Sequence, residues 1–189
     1  MRVVLMGPPG AGKGTQADVV SELLGVPHIS TGEIFRGHVA TGSPLGIEAG
    51  RYMDAGEYVP DGVTNAMVRD RLSREDCRGG FLLDGYPRTL EQVGELSAML
   101  SASGTPLDAV IELTVDLDVV VDRMVRRAIE QGRKDDTEDV IRRRLEVYFA
   151  QTAPLTAVYQ ANGQLRRIDG EGSIEDVTGR ILSVLGVES

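Results

Sequence analysis

Apolar residues in this chain fall into short continuous runs separated by longer stretches of helical period. RVVLM at the N-terminus, FLLD at 81–84 and AVIELTV at 109–115 are runs of the kind buried on both faces of a sheet. VPHIS at 26–30 and LRRID at 165–169 supply two more strand candidates. Between them lie helical patterns. KGTQADVVSELL places Ala17, Val20, Leu23 and Leu24 on one face and meets its stop at Gly25. TLEQVGELSAML, VDLDVVVDRMVRRAIE, DTEDVIRRRLEVYFAQ and SIEDVTGRILSVLG follow in order. Strands alternating with helices predict an α/β fold: a five-stranded parallel sheet flanked by helices. Residues 31–73 carry short helical pieces, many glycines and no strand pattern, which predicts a helical insertion between the second and third strands.

Composition narrows the class. A chain of 189 residues can build one domain with a full core, and no apolar run approaches the ~20 residues of a membrane span. The chain opens on a strand-like run, so no secretory leader is expected. The formal net charge of −9 argues against nonspecific binding to nucleic acid or anionic membranes. Cys77 is the single cysteine, which excludes an internal disulfide framework and predicts a cytoplasmic setting.

GPPGAGKGT, residues 7–15, sits between the first strand and the first helix. Glycines there let the backbone wrap so that several N–H groups point inward, while the helix adds its positive end. Lys13 supplies a mobile charge for terminal phosphates. The loop departs from the usual pattern because Gly14 stands between Lys13 and Thr15. It predicts a nucleoside triphosphate or similar ligand and leaves the destination of the phosphate open.

Three further stretches bear on that destination. In ISTGEIFR, Ser30 and Glu33 have capping-box spacing, which leaves the Thr31 hydroxyl free and Arg36 without a structural role. In FLLDGYPRTLEQ, a strand ends in Asp84, a carboxylate able to reach magnesium or its water shell. Gly85 and Pro87 then turn the chain outward and put Arg88 past a strand's C-terminal end, the edge where open α/β sheets bind ligands. Thr89 and Gln92 also have capping-box spacing. In DVIRRRLEVYF, Arg144 falls about 60° from Ile141, inside the apolar arc, so it should face a cleft or an anion. Arg142 and Arg143 point away, within reach of Glu138 and Glu146. Arg123 and Arg127 lie one turn apart on one edge of the preceding helix, with Arg126 opposite. EQGRKDD forms a short basic connection that could close over a ligand or make local ion pairs.

GPPGAGKGT, ISTGEIFR, DGYPRT with Gln92, GRKDD and YFAQTAPL, in this order and spacing, resemble the adenylate kinase family over essentially the whole chain. The resemblance implies transfer of a phosphoryl group from Mg-ATP to AMP, giving two ADP, by a single P-loop kinase domain spanning 1–189. It implies ATP contacts at Gly10, Ala11, Gly12, Lys13, Gly14, Thr15, Arg123, Arg127 and Gly172. AMP contacts are implied at Thr31, Arg36, Glu57, Tyr58, Val59, Gly85, Tyr86, Pro87, Arg88, Gln92, Arg133 and Arg144. Lys13, Arg88, Arg123, Arg133 and Arg144 would surround the transferred phosphoryl group, and Asp84 would hold magnesium through water. Residues 30–59 match an AMP-binding insertion. Residues 127–133 match a lid far shorter than the roughly thirty residues of many relatives, which implies the short-lid form, without zinc. A monomer is the family expectation. Thr31 and Gln92 favour AMP over UMP, CMP or GMP. A slow nucleotide-hydrolysing switch is the rival from another class; it has no use for a second phosphate site at Arg36, Arg88 and Arg144.

Overall fold

The computed structural model describes residues 1–130 and 137–187. Its strands are β1 (Arg2–Met6), β2 (His28–Ser30), β3 (Phe81–Asp84), β4 (Ala109–Thr114) and β5 (Leu165–Asp169). They form one sheet in the order β2-β3-β1-β4-β5, and every neighbouring pair is parallel. The five strands expected from the apolar runs are all present. From β1 the chain passes over β3 to reach β2, and from β3 it passes over β1 to reach β4. The crossovers leave in opposite directions, which opens a crevice at the C-terminal ends of β1 and β3.

Parallel strands need helical crossovers, and these cover both faces. Val3 and Leu5 of β1 point into one core, against Ala17 and Val20 of α1 (Lys13–Leu24) and Val177 and Ile181 of α9 (Ile174–Leu185). Val4 and Met6 point into the other. There they meet Val68 of α4 (Asp61–Leu72), Leu96 of α5 (Leu90–Ala102), and Leu155 and Tyr159 of α8 (Leu155–Ala161). Leu23 corrects the expected inner face of α1: it is 57% exposed, and Ser21 and Gln16 are buried instead. The Gln16 side chain is satisfied by donating to the Ile174 carbonyl (3.1 Å) and accepting from the Thr178 hydroxyl (2.8 Å), so a polar residue replaces the leucine at the α1–α9 contact.

Residues 31–72 form the helical insertion, built of α2 (Thr31–Thr41), α3 (Pro44–Asp54) and α4. Ser30 caps α2 and Ser43 caps α3 through their hydroxyls. The insertion has a small core of its own, in which Phe35, Ala49 and Val59 are packed by Tyr52, Met53, Val63 and Met67. After β4 come α6 (Leu117–Glu130) and α7 (Glu138–Val147), joined through Val120, Met124 and Ile141. Residues 127–130 of the expected lid are the last turn of α6; 131–133 lie outside the described residues. The single helix expected through DTEDVIRRRLEVYFAQ changes character at Tyr148–Thr152, which is π-helical, before α8 begins. No sequence period announces that change or α8.

Leu155 is fully buried where α8 meets the sheet. Leu155→Ala should lower the free energy of unfolding by about 3 kcal/mol, the sum of lost apolar burial and of a cavity that a packed core closes only in part. Leu23→Ala should change it by less than about 0.5 kcal/mol. Urea denaturation of both variants measures the contrast.

Candidate active site

One cleft of about 600 Å³ opens at the C-terminal ends of the strands. Its floor is the loop after β1. Gly7, Gly10 and Gly12 all have positive φ (145°, 85° and 91°), as a chain wrapped around an anion requires. At Gly10 a side chain is also excluded by packing, because an added Cβ would lie 2.8 Å from the Val120 carbonyl oxygen and from Met124 Cγ. Gly12 is the N-cap of α1 and offers no side chain to its first amides, so these N–H groups remain available to a ligand.

Lys13 lies on this loop with its ammonium donating to the carbonyls of Gly7 (2.8 Å) and Pro8 (2.9 Å). Burial drives its pKa down to about 8, with Arg88 and Arg127 adding to the effect and Asp84 opposing it. Asp84 ends β3 beside the loop. Its Oδ1 is buried and has no hydrogen-bond partner among the described residues. A buried carboxylate oxygen in that condition is an acceptor suited to a hydrated cation.

Arg88 projects from the turn after β3. Its Nε donates to the Gly85 carbonyl (2.7 Å), and its guanidinium carbon lies 4.8 Å from the centre of the Tyr58 ring. Gly85 (φ 78°) leaves room for this arrangement: a Cβ there would come within 2.7 Å of Thr31 Oγ1 and 2.9 Å of an Arg88 nitrogen. Arg123 reaches from α6 to the carbonyls of Gly170 (3.3 Å) and Ala11 (3.4 Å). Arg36, Arg127 and Arg144 line the same cleft from α2, α6 and α7. The helical-angle reading is therefore borne out for Arg144, and also for its neighbours. Arg142 pairs with Glu138 (2.8 Å), and Arg143 pairs with Glu146 (3.0 Å).

The adenylate kinase family model matches residues 5–164. An adenylate kinase of Kocuria rhizophila is 61% identical over 184 residues, 97% of this chain and 98% of its own. One of Nocardioides sp. is 57% identical over 187 residues (99% and 98%), and one of Thermobifida fusca 54% over 185 (98% and 98%). The chain belongs to the adenylate kinase family.

In this family member the cleft gathers nearly every residue singled out in the sequence. Gly10, Ala11, Gly12, Lys13, Gly14, Thr15, Arg123, Arg127 and Gly172 line one part. Thr31, Arg36, Glu57, Tyr58, Val59, Asp84, Gly85, Pro87, Arg88, Gln92 and Arg144 line the rest. Tyr86 is the exception. Its side chain is 1% exposed and turned into the core, where its hydroxyl donates to Asn65 Oδ1 (2.9 Å). Arg133 lies outside the described residues.

Two of these side chains are already engaged within the protein. The Thr31 hydroxyl is not free; it donates to the Gly85 carbonyl (2.8 Å). The Glu57 carboxylate accepts from Arg143 Nε (2.7 Å), which ties the insertion, between α3 and α4, to α7. Thr152 was missed. It is buried in the π-helical turn, donates to the Arg88 carbonyl (2.9 Å) and meets the Tyr58 hydroxyl at 2.7 Å. It thereby connects the two residues that stack over the cleft. Its only mark in the sequence is its place in YFAQTAPL, beside Gln151.

The low pKa of Lys13 has a direct consequence for binding. Phosphate oxygens favour the charged lysine and raise its pKa, so affinity for a nucleoside triphosphate should fall as pH rises past about 8. Between pH 7 and pH 9 the loss should be about tenfold. Calorimetric titration at both values measures it, and Lys13→Met should bind weakly with little pH dependence over this range.

Proposed function

We propose that the chain catalyses reversible phosphoryl transfer from Mg-ATP to AMP, giving two ADP. The observation that carries this reading is the presence of two cationic sets in one cleft: the loop with Lys13, Arg123 and Arg127, and the opposing Arg36, Arg88 and Arg144. A switch that delivers phosphate to water needs only the first. The family's name supports the choice of adenine nucleotides.

Transfer between phosphates needs alignment and neutralised charge more than covalent help. On this reading the amides of residues 10–15 grip the ATP phosphates, and the backbone beside Gly172 lies along the ATP adenine. Arg36 and Arg88 hold the AMP phosphate, with Thr31, Glu57, Tyr58, Val59, Gly85, Pro87 and Gln92 forming the rest of the AMP site. Tyr86 supports the turn from within the core. Lys13, Arg88, Arg123 and Arg144 gather at the junction where charge moves. AMP phosphate is already an anion, so no side chain has to remove a proton.

Asp84 is suited to hold magnesium through water, given its unpartnered buried oxygen. The ion, when bound, shields the charge of the ATP oxygens. No group of three or more candidate metal ligands occurs among the described residues, and one cysteine cannot build a cysteine-rich zinc site. We read the protein as a cytoplasmic monomer acting on small nucleotides without nucleic-acid or membrane partners. Among the described residues no helix is long and apolar enough to cross a membrane. The insertion at 30–59 is read as the AMP-binding segment and 127–133 as a short lid. Their approach would exclude water, the competing acceptor.

A coupled assay with Mg-ATP and AMP, GMP, CMP or UMP, against an acceptor-free control, tests the reading. Fast ADP formation with AMP alone is expected; slow hydrolysis independent of acceptor would refute it. Arg88→Ala should lower kcat by about 10²–10³-fold or more, since it removes a charge aimed at the transferring group. Its unfolding midpoint should stay near that of the unmodified chain, because the guanidinium faces the cleft.

A further inference from the structure

The Gln92 side chain lines the cleft but is only 1% exposed, and its amide is held from behind at both atoms. Oε1 accepts from the main-chain N–H of Arg88 at 2.7 Å. Nε2 donates to Asp61 Oδ1 at 2.7 Å. The second oxygen of Asp61 accepts from the Thr89 hydroxyl at 2.8 Å. Asp61 begins α4 and is not itself part of the cleft wall.

An amide side chain has two nearly isosteric orientations, related by exchange of its oxygen and nitrogen. Here only one works. Turned over, Nε2 would face the Arg88 N–H, donor against donor, and Oε1 would face the Asp61 carboxylate, acceptor against acceptor. Both clashes would occur in a buried place, where an unmatched polar group is costly. In the orientation present, each amide atom retains one further hydrogen-bonding position, an N–H on Nε2 and a lone pair on Oε1.

We infer that Asp61, acting with the Arg88 main-chain N–H, sets the base preference of the acceptor site by holding the Gln92 amide in one direction. This rests on reading Gln92 as part of the monophosphate site. Adenine carries an amino donor at C6 beside an acceptor at N1. Hypoxanthine carries a carbonyl acceptor at C6 beside an N1–H donor. An amide of fixed direction matches the first edge and opposes the second. A freely turning amide matches both and discriminates poorly. Asp61 is thus a positioning residue that selects the base without touching it.

The test compares AMP with IMP as acceptors at saturating Mg-ATP for the unmodified chain, Asp61→Leu and Asp61→Asn. Asp61→Leu removes both acceptors and should reduce the AMP-over-IMP ratio of kcat/KM by about tenfold. The change should come through KM, with kcat on AMP kept within about threefold. Asp61→Asn keeps an oxygen for Gln92 while its amino group turns to Thr89, so its ratio should stay within about threefold of the unmodified chain. Asp61→Ala replaces the leucine variant if the latter does not fold. An unchanged ratio in the apolar variant overturns the inference, as does an equal loss on both acceptors, which would mark a merely structural role. An unmodified chain that transfers to neither acceptor would instead refute the functional reading beneath it.

Discussion

Cations gathered in one cleft repel one another, and each resists leaving water; the arrangement of this molecule follows from how that repulsion is held. Lys13, Arg88 and Arg123 rest on main-chain carbonyls of Gly7, Pro8, Gly85, Ala11 and Gly170, all in loops at the C-terminal edge of the sheet. A neutral carbonyl dipole satisfies an N–H donor without cancelling its charge. A carboxylate would bind more strongly but would compete with a phosphate. The depressed pKa of Lys13 records the remaining tension. In an acidic chain, these cations thereby gather positive charge in the cleft at the C-terminal edge of the sheet.

The parallel sheet makes this possible because all five strands end on the same edge. Loops that leave β1 and β3 in opposite directions bring the glycine-rich turn and the DGYPR turn side by side. Around that fixed centre stand two helical units with small cores of their own, the insertion built on Phe35, Ala49 and Val59 and the α6–α7 pair built on Val120, Met124 and Ile141. Each carries arginines to the cleft while leaving the main core intact. The π-helical turn at Tyr148–Thr152 belongs to the same economy of placement: it directs Thr152 at the Arg88 carbonyl and at Tyr58, joining insertion, turn and helix through one hydroxyl.

The strands, most of the helices, the phosphate loop and the sorting of the arginines are all legible in the order of the amino acids. These are local properties: runs of apolar residues, helical spacing, and glycines next to lysine. Arg144 could be separated from Arg142 and Arg143 because helical angle is set by position along the chain. Which hydroxyls and carboxylates are already engaged depends on contacts made across the folded chain. Thr31 meets Gly85 across 54 positions, Glu57 meets Arg143 across 86 and Tyr58 meets Thr152 across 94, so no local window contains either pair member's partner. The burial of Gln16 is of the same kind, since its side chain finds its partners on α9, at Ile174 and Thr178. Asp61 reads in the sequence as an acid in the first turn of a helix. Its hold on Gln92 depends on two helix N-termini being packed together, and the free energy of that packing is a property of the folded molecule, not of either segment.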